Sequence, residues 1–428
     1  MKVLILTSLV VCLTSFSASA ENWPRFRGPG GQGHSTETQV PLHWSKSENL
    51  AWRTEIPGLG WSSPVVWGNR VVVTSTTDED RSCRVICLDS NSGEILWNVE
   101  ALRQKPQRKE GRNSYATPTP VVSDTGVYVV FGNGSVVGLD WAGEVRWVNQ
   151  EVDFYSRHGL GASPLLVGDL LIMPYDGSQR VDVAGSWPNN PPEEKIGWQV
   201  PWKKARIMAL NIHDGRVDWK VGRGFSRIAH VTPNVAEVDG RLQLLSAAGD
   251  VIQGFDPTDG QMIWKVYSQG EGVTPSFAFG DGLMFTSSGF EKTTLRTVRL
   301  GGAAGDVTET HIAWENRKGV PTESSLLYVS PYLFAVTNGG VVTCYQGTTG
   351  EIRWQERIGG KHSASPVHAD GRLYFLAGDG TSTILRAGGR FEVLATNRLE
   401  GQFQASMAVS NGHLFLRSDQ ALFAIGTR

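Results

Sequence analysis

Four sets of polar side chains recur just ahead of apolar segments: Arg112 with Tyr115, Arg157 with His158, Arg227 with His230, and Lys361 with His362. Guanidinium and ammonium groups hold carboxylates or sulfates through charge-assisted hydrogen bonds, and the neighbouring imidazoles and phenol can donate or accept. Brought to one mouth, with Trp61 and Glu271 beside them, they would grip an anionic group of a protein or a glycan. The same residues have a plainer use, bracing backbone carbonyls around a channel, because most side-chain hydrogen bonds go to backbone or water. Trp187 and Trp202, in a stretch rich in Pro and Asn, are further contact candidates, since aromatic residues are enriched at binding surfaces.

Other chemistries lack their residues. The sequence has no adjacent cysteines, no Asp-rich calcium loop, no His-x-x-x-His pair and no Gly-x-Ser-x-Gly turn, so no residue is assigned a catalytic or metal-binding role. The 40 basic and 42 acidic residues nearly cancel, and no basic stripe points to nucleic acid. Of the four cysteines Cys12 lies in the leading apolar stretch taken up below; without it Cys83, Cys87 and Cys344 are three thiols, an odd number, so one at least has no internal partner. Cys83 and Cys87 lie on one face of an expected strand about 13 Å apart, at ~3.3 Å per residue, too far to bridge. Cys87 and Cys344 occupy equivalent small-residue positions, which favours buried packing.

Residues 1–20 read as a secretory signal peptide: Lys2, an apolar run from Val3 to Leu13, and Ala18-Ser19-Ala20 before Glu21. The run is too short for a membrane span, and nothing later approaches the roughly 20 apolar residues a spanning helix needs. A lipoprotein reading through Cys12 would require a small residue where Val11 stands. The expected product is exported, to the periplasm or beyond, without a transmembrane segment.

The elements that must position these side chains repeat. CLDSNSGEILW (87–97), ALNIHDGRVDW (209–219), GFDPTDGQMIW (254–264) and CYQGTTGEIRW (344–354) share an acidic or amide turn, Gly at the seventh position and Trp at the eleventh, and GLDWAGEVRW (138–147) is one residue shorter. Each reads as a hairpin whose Gly takes a positive φ. A Ser/Thr-Pro pair or a relative precedes each unit: Ser63-Pro64, Thr119-Pro120, Ser163-Pro164, Thr232-Pro233, Thr274-Pro275, Ser324-Ser325, Ser365-Pro366 and Ala405-Ser406. Eight starts about 40 to 50 residues apart are the period of four-stranded propeller blades. The last unit has room for three strands, and residues 49–56, with Trp52, supply the fourth. The expected architecture is therefore all-β, an eight-bladed propeller over 49–428 preceded by an extended segment at 21–48. Closing the ring in this way removes an exposed edge.

In such blades the loop into the innermost strand and the loop between the second and third strands emerge on one face, here termed the inlet face. Every candidate above falls on it, as does a long insertion in the third blade, about 178–204, read as an aromatic-bearing flap.

The repeated motifs resemble the pyrroloquinoline quinone (PQQ)-like β-propeller repeat superfamily, which includes quinoprotein alcohol dehydrogenases and the propeller lipoprotein of outer-membrane barrel assembly. The Trp23-Pro24-Arg25-Phe26-Arg27-Gly28-Pro29 opening and Trp61-Ser62-Ser63-Pro64 look like exported bacterial members. The resemblance implies that each motif Trp docks on the neighbouring blade, so the fifth unit, without the hairpin, and the seventh, with Ala395 in place of Trp, are expected to dock less tightly. Because the motif is peripheral, it implies no cofactor by itself. The expected function is a non-enzymatic exported scaffold binding a protein or an anionic glycan on the inlet face. The alternatives are a PQQ- and calcium-dependent oxidoreductase or another carbohydrate-active enzyme, and a factor in envelope protein assembly.

Overall fold

A computed structural model describes residues 21–427 except 107–108, 110, 112, 153, 157, 178–203, 225, 269–272 and 290–292. Its strands form eight sheets of four antiparallel strands; in seven the strands follow chain order from centre to rim, the eighth takes the chain's first strand, Leu50–Glu55, as its outermost, and one sheet gains a fifth strand paired in parallel. Second and third strands such as Gly126–Val130 and Ala421–Ile425 are buried at every position, being covered on both faces by neighbouring blades. Outer strands such as Val217–Gly222 alternate between half-buried and exposed, the period of two expected when one face meets solvent. Inner hairpins turn through Asp239-Gly240, Asp281-Gly282, Asp370-Gly371 and Asn411-Gly412, all with positive φ at both residues. The sixth blade turns instead through Ser330-Pro331, a cis peptide.

Hydroxyl groups tie the blades into a ring. Ser63 N donates to Thr119 Oγ1 at 2.9 Å, Thr119 N to Ser163 Oγ at 2.9 Å, and Ser163 N to Thr232 Oγ1 at 3.0 Å. The sequence of bonds continues through Ser276, Ser325, Ser365 and Ser406, and Ser406 N returns to Ser63 Oγ at 3.1 Å. Each blade start thus satisfies a buried amide of the blade before it. In the fifth blade the hydroxyl is that of Ser276, which directly follows the Thr274-Pro275 pair that the repeat pattern selects.

Closure follows the expected pairing: Leu50–Glu55 runs antiparallel to Ala421–Ile425, with Trp52 opposite Ala424. At the rim, indole N–H groups reach the next blade's hairpin turn, as from Trp52 to Ser90 O (2.9 Å), Trp147 to Ile212 O (2.7 Å) and Trp354 to Gly388 O (3.1 Å). The two irregular junctions are covered by other means. Gly305–Asp306, within the fifth blade's long path, pairs in parallel with the fourth blade's outer strand, while Trp264 donates inside its own blade to Gln243 Oε1. At the seventh blade, where the following rim is interrupted between the two chain ends, Trp44 stacks on Tyr374 and its amide donates to Asn397 Oδ1 at 3.0 Å.

Residues 21–37 enter the ring itself. Their contacts run from Val66 through Val122, Asn234, Phe279 and His368 to Ser410, touching innermost strands around the circle. Arg27 is buried there, its guanidinium donating to the carbonyls of Gln32, Phe277 and Leu326, and Trp23 is fully buried. The centre of the propeller is therefore filled by the chain's own leading segment on the side of the inner-strand turns.

Candidate binding face

The hydroxyl ring sets where each inlet connection leaves the channel wall, and the first to be fixed is the one entering the second blade. Tyr115 is buried, and its carbonyl accepts Gly132 N at 2.7 Å. The Lys109 ammonium stands 5.4 Å from the Tyr115 ring centroid, donates to Asn113 O at 2.6 Å, and lies 3.8 Å from Asp80. A recess of about 10 Å³ opens between Lys109, Tyr115, Asn133 and Phe154, room for one water molecule.

The next two connections meet each other. Asn113 Nδ2 donates to His158 O at 2.6 Å, and the His158 and His230 rings stand at 88° with centroids 6.2 Å apart. His230 fits because residue 161 is glycine: a Cβ there would lie 3.0 Å from the His230 Cβ. Burial, and secondly the neighbouring His158, push the His230 imidazole down to about 3, so it is neutral at ordinary pH.

Arg227 is engaged within the protein. Its Nη2 lies 2.7 Å and its Nε 3.0 Å from Asp250 Oδ1, while its backbone N donates to Oδ2 at 2.8 Å. Behind it sits an ion pair that the sequence reading missed. Arg223 Nε is 2.9 Å from Asp176 Oδ1, and Arg223 Nη2 donates to Ser246 Oγ at 2.6 Å. Both side chains are essentially inaccessible, and burial pushes the Asp176 carboxyl up to about 6 against the opposing pull of Arg223. A signal did exist: Asp250, Asp379 and Asp419 fall just beyond the second strands of other blades, as Asp176 does in the third.

Lys361 and His362 lie on the connection into the seventh blade and differ sharply. Lys361 is exposed, whereas His362 is buried with Nε2 2.9 Å from Gly359 O and its imidazole lowered by that burial. Trp61 is half-buried, its amide donating to Ala116 O at 3.0 Å. The structure thus joins Tyr115, His158 and His230 through Asn113 and ring contact, and it commits Arg227 to a carboxylate. Arg112, Arg157, Glu271, Trp187, Trp202 and the insertion at 178–203 lie outside the described residues.

The thiols offer no nucleophile here. Cys83, Cys87 and Cys344 are separate and buried, and burial raises all three, Cys87 and Cys344 to about 12. Among the described residues no three His, Cys, Asp or Glu side chains come together as a metal donor set.

Comparison with known proteins places this architecture. No curated protein matches the chain. Among solved structures it is similar to BamB from Moraxella catarrhalis, with 17% identity over 88% of this chain and 96% of that one and a TM-score of 0.59. It is also similar to the computationally designed Ika8 protein, at 11% identity, 87% and 98% coverage and a TM-score of 0.58. A europium-containing methanol dehydrogenase shares the fold at 13% identity, 94% and 90% coverage and a TM-score of 0.51. A family profile described as outer membrane protein assembly factor BamB matches residues 42–188 and 300–389, more than half of the sequence, so this eight-bladed PQQ-like propeller belongs to that family.

Proposed function

We propose that the chain is an exported, non-enzymatic scaffold whose inlet face docks a protein segment. The observation that carries this reading is that two of the face's described cations are matched internally, Arg227 with Asp250 and Lys109 with Asp80. A surface built to capture a polyanion keeps its cations unmatched, whereas paired, preorganised ions and half-buried aromatics such as Trp61 suit a protein partner. The family's assembly-factor description supports the same choice, and the partner would then be another envelope protein.

The test uses a photo-crosslinking residue at Lys361 on the inlet face and, as a control, at Asp370 in an inner-strand turn on the opposite face, in cells exporting the full chain. One recurrent protein adduct from position 361 and none from 370 is the expected result. Absence of any adduct, together with salt-sensitive retention on a sulfated or uronic-acid glycan, would replace the protein partner with a glycan. A stoichiometric adduct with PQQ and calcium by native mass spectrometry would overturn the scaffold reading altogether.

A further inference from the structure

The backbone nitrogen of Glu21 lies 2.9 Å from Glu37 Oε1. Glu37 is itself fastened to the eighth blade: Oε1 accepts Asn411 N at 2.8 Å and Oε2 accepts Gly412 N at 3.1 Å, across the inner hairpin turn. The Glu21 carboxylate folds back the other way, accepting Ser35 Oγ at 2.6 Å and Thr36 N at 2.9 Å, while the Glu21 carbonyl accepts Ser410 Oγ at 2.5 Å. Two carboxylates therefore meet in one knot, and among the described residues neither is paired with a lysine, arginine or histidine.

The amide aimed at Glu37 is the one that the Ala18-Ser19-Ala20 cleavage motif would convert into a chain terminus. We propose that removal of residues 1–20 creates the missing cation, and that Glu37 is the docking carboxylate for the mature α-ammonium of Glu21. Hydrolysis of the Ala20–Glu21 bond by an export peptidase consumes one water, leaves a carboxylate on Ala20 and frees the Glu21 nitrogen, which takes up a proton at neutral pH. The amide N–H···carboxylate bond becomes an ammonium–carboxylate ion pair, charged on both sides, joining the leading segment inside the channel to the turn of the closing blade. Maturation then locks the filled centre of the propeller in place.

The test compares mature chains recovered after export of the full sequence, wild type against Glu37→Gln. An ion-paired amine is held above its ordinary pKa of about 7.7 to 8.0, and one pKa step means about tenfold less free amine at pH 7. Intact mass should place the terminus at Glu21, and an amine-reactive ester at pH 7 should label that terminus about tenfold more slowly in wild type than in Glu37→Gln. Equal labelling rates, or a mature terminus elsewhere, would overturn the proposal. Should Glu37→Gln fail to fold, a chain released with Ala20 still attached gives a second reading: displacing the charge by one residue lowers its melting temperature below that of the Glu21 chain, and equal melting temperatures sink the idea.

Discussion

His230 is neutral in the folded protein because its ring is buried against a second imidazole, with its pKa held down to about 3, whereas an unfolded chain returns it to about 6.5. Between those values the unfolded state binds the extra proton, so stability is fully present above about 6.5 and declines as the pH falls. His34, held down to about 4, and the lowered His362 and His368 act in the same direction. Asp176 acts oppositely: its carboxyl, raised to about 6, holds a proton that the unfolded chain gives up, so its contribution shrinks as the pH rises from about 4 through 6. Four imidazoles against one carboxyl predict net acid sensitivity. Replacing His230 with Gln should remove about 2 kcal/mol of the stability lost between pH 7.5 and pH 5. Urea midpoints of both proteins at the two pH values give the difference of differences, and identical pH dependence would show that the ring is not held neutral.

At the scale of elements, the contact that repeats is an indole laid over a neighbour's turn glycine. Gly215 has φ of 71°, and a Cβ there would stand 2.4 Å from Trp147 Cε3. Gly302, in the irregular path of the fifth blade, has φ of 73° but nothing within 4 Å of such a Cβ. Alanine at either position bears the same left-handed backbone strain, about 1 kcal/mol, but only at 215 must it also push an indole off the blade, an overpacking cost of roughly 1–3 kcal/mol more. The urea midpoint should fall clearly further for Gly215→Ala than for Gly302→Ala, and equal shifts would mean that the indole is not held against the turn. These hairpins were legible because Gly and Trp positions recur at fixed spacing and the turn is local. The replacement contacts at the irregular junctions were not, since Gly305 meets Trp264 and Trp44 meets Tyr374 through pairings that no local period encodes. The inlet face divides likewise. Its polar residues could be picked out from their place before each inner strand, but the commitment of Arg227 to Asp250, 23 positions away, depends on how the next blade's second strand ends.

Across the whole molecule, closure depends on one strand from the opposite end of the chain, and that much follows from counting strands: the last unit holds three and residues 49–56 hold a fourth. That residues 21–37 fill the channel does not follow from counting, because Arg27 and Trp23 read as ordinary surface or core residues until the ring supplies the carbonyls and walls around them. The two parts of the leading segment therefore do separable work. Deleting 21–37 removes wall contacts and empties a space lined by inner strands while Leu50–Glu55 still covers the edge of Ala421–Ile425. Such a chain should melt at a lower temperature yet remain closed and resist association. Deleting 21–55 uncovers a buried, apolar strand edge, the feature that recruits other chains into edge-to-edge pairing. That chain should lose its cooperative transition and elute as larger species, with a synthetic 49–56 peptide partly restoring the original size. Calorimetry and size-exclusion chromatography on the two truncations separate these outcomes. If the longer deletion stays cooperative and elutes unchanged, the first strand is an accessory to the last blade, and the ring is held by the hydroxyl bonds at its inner wall.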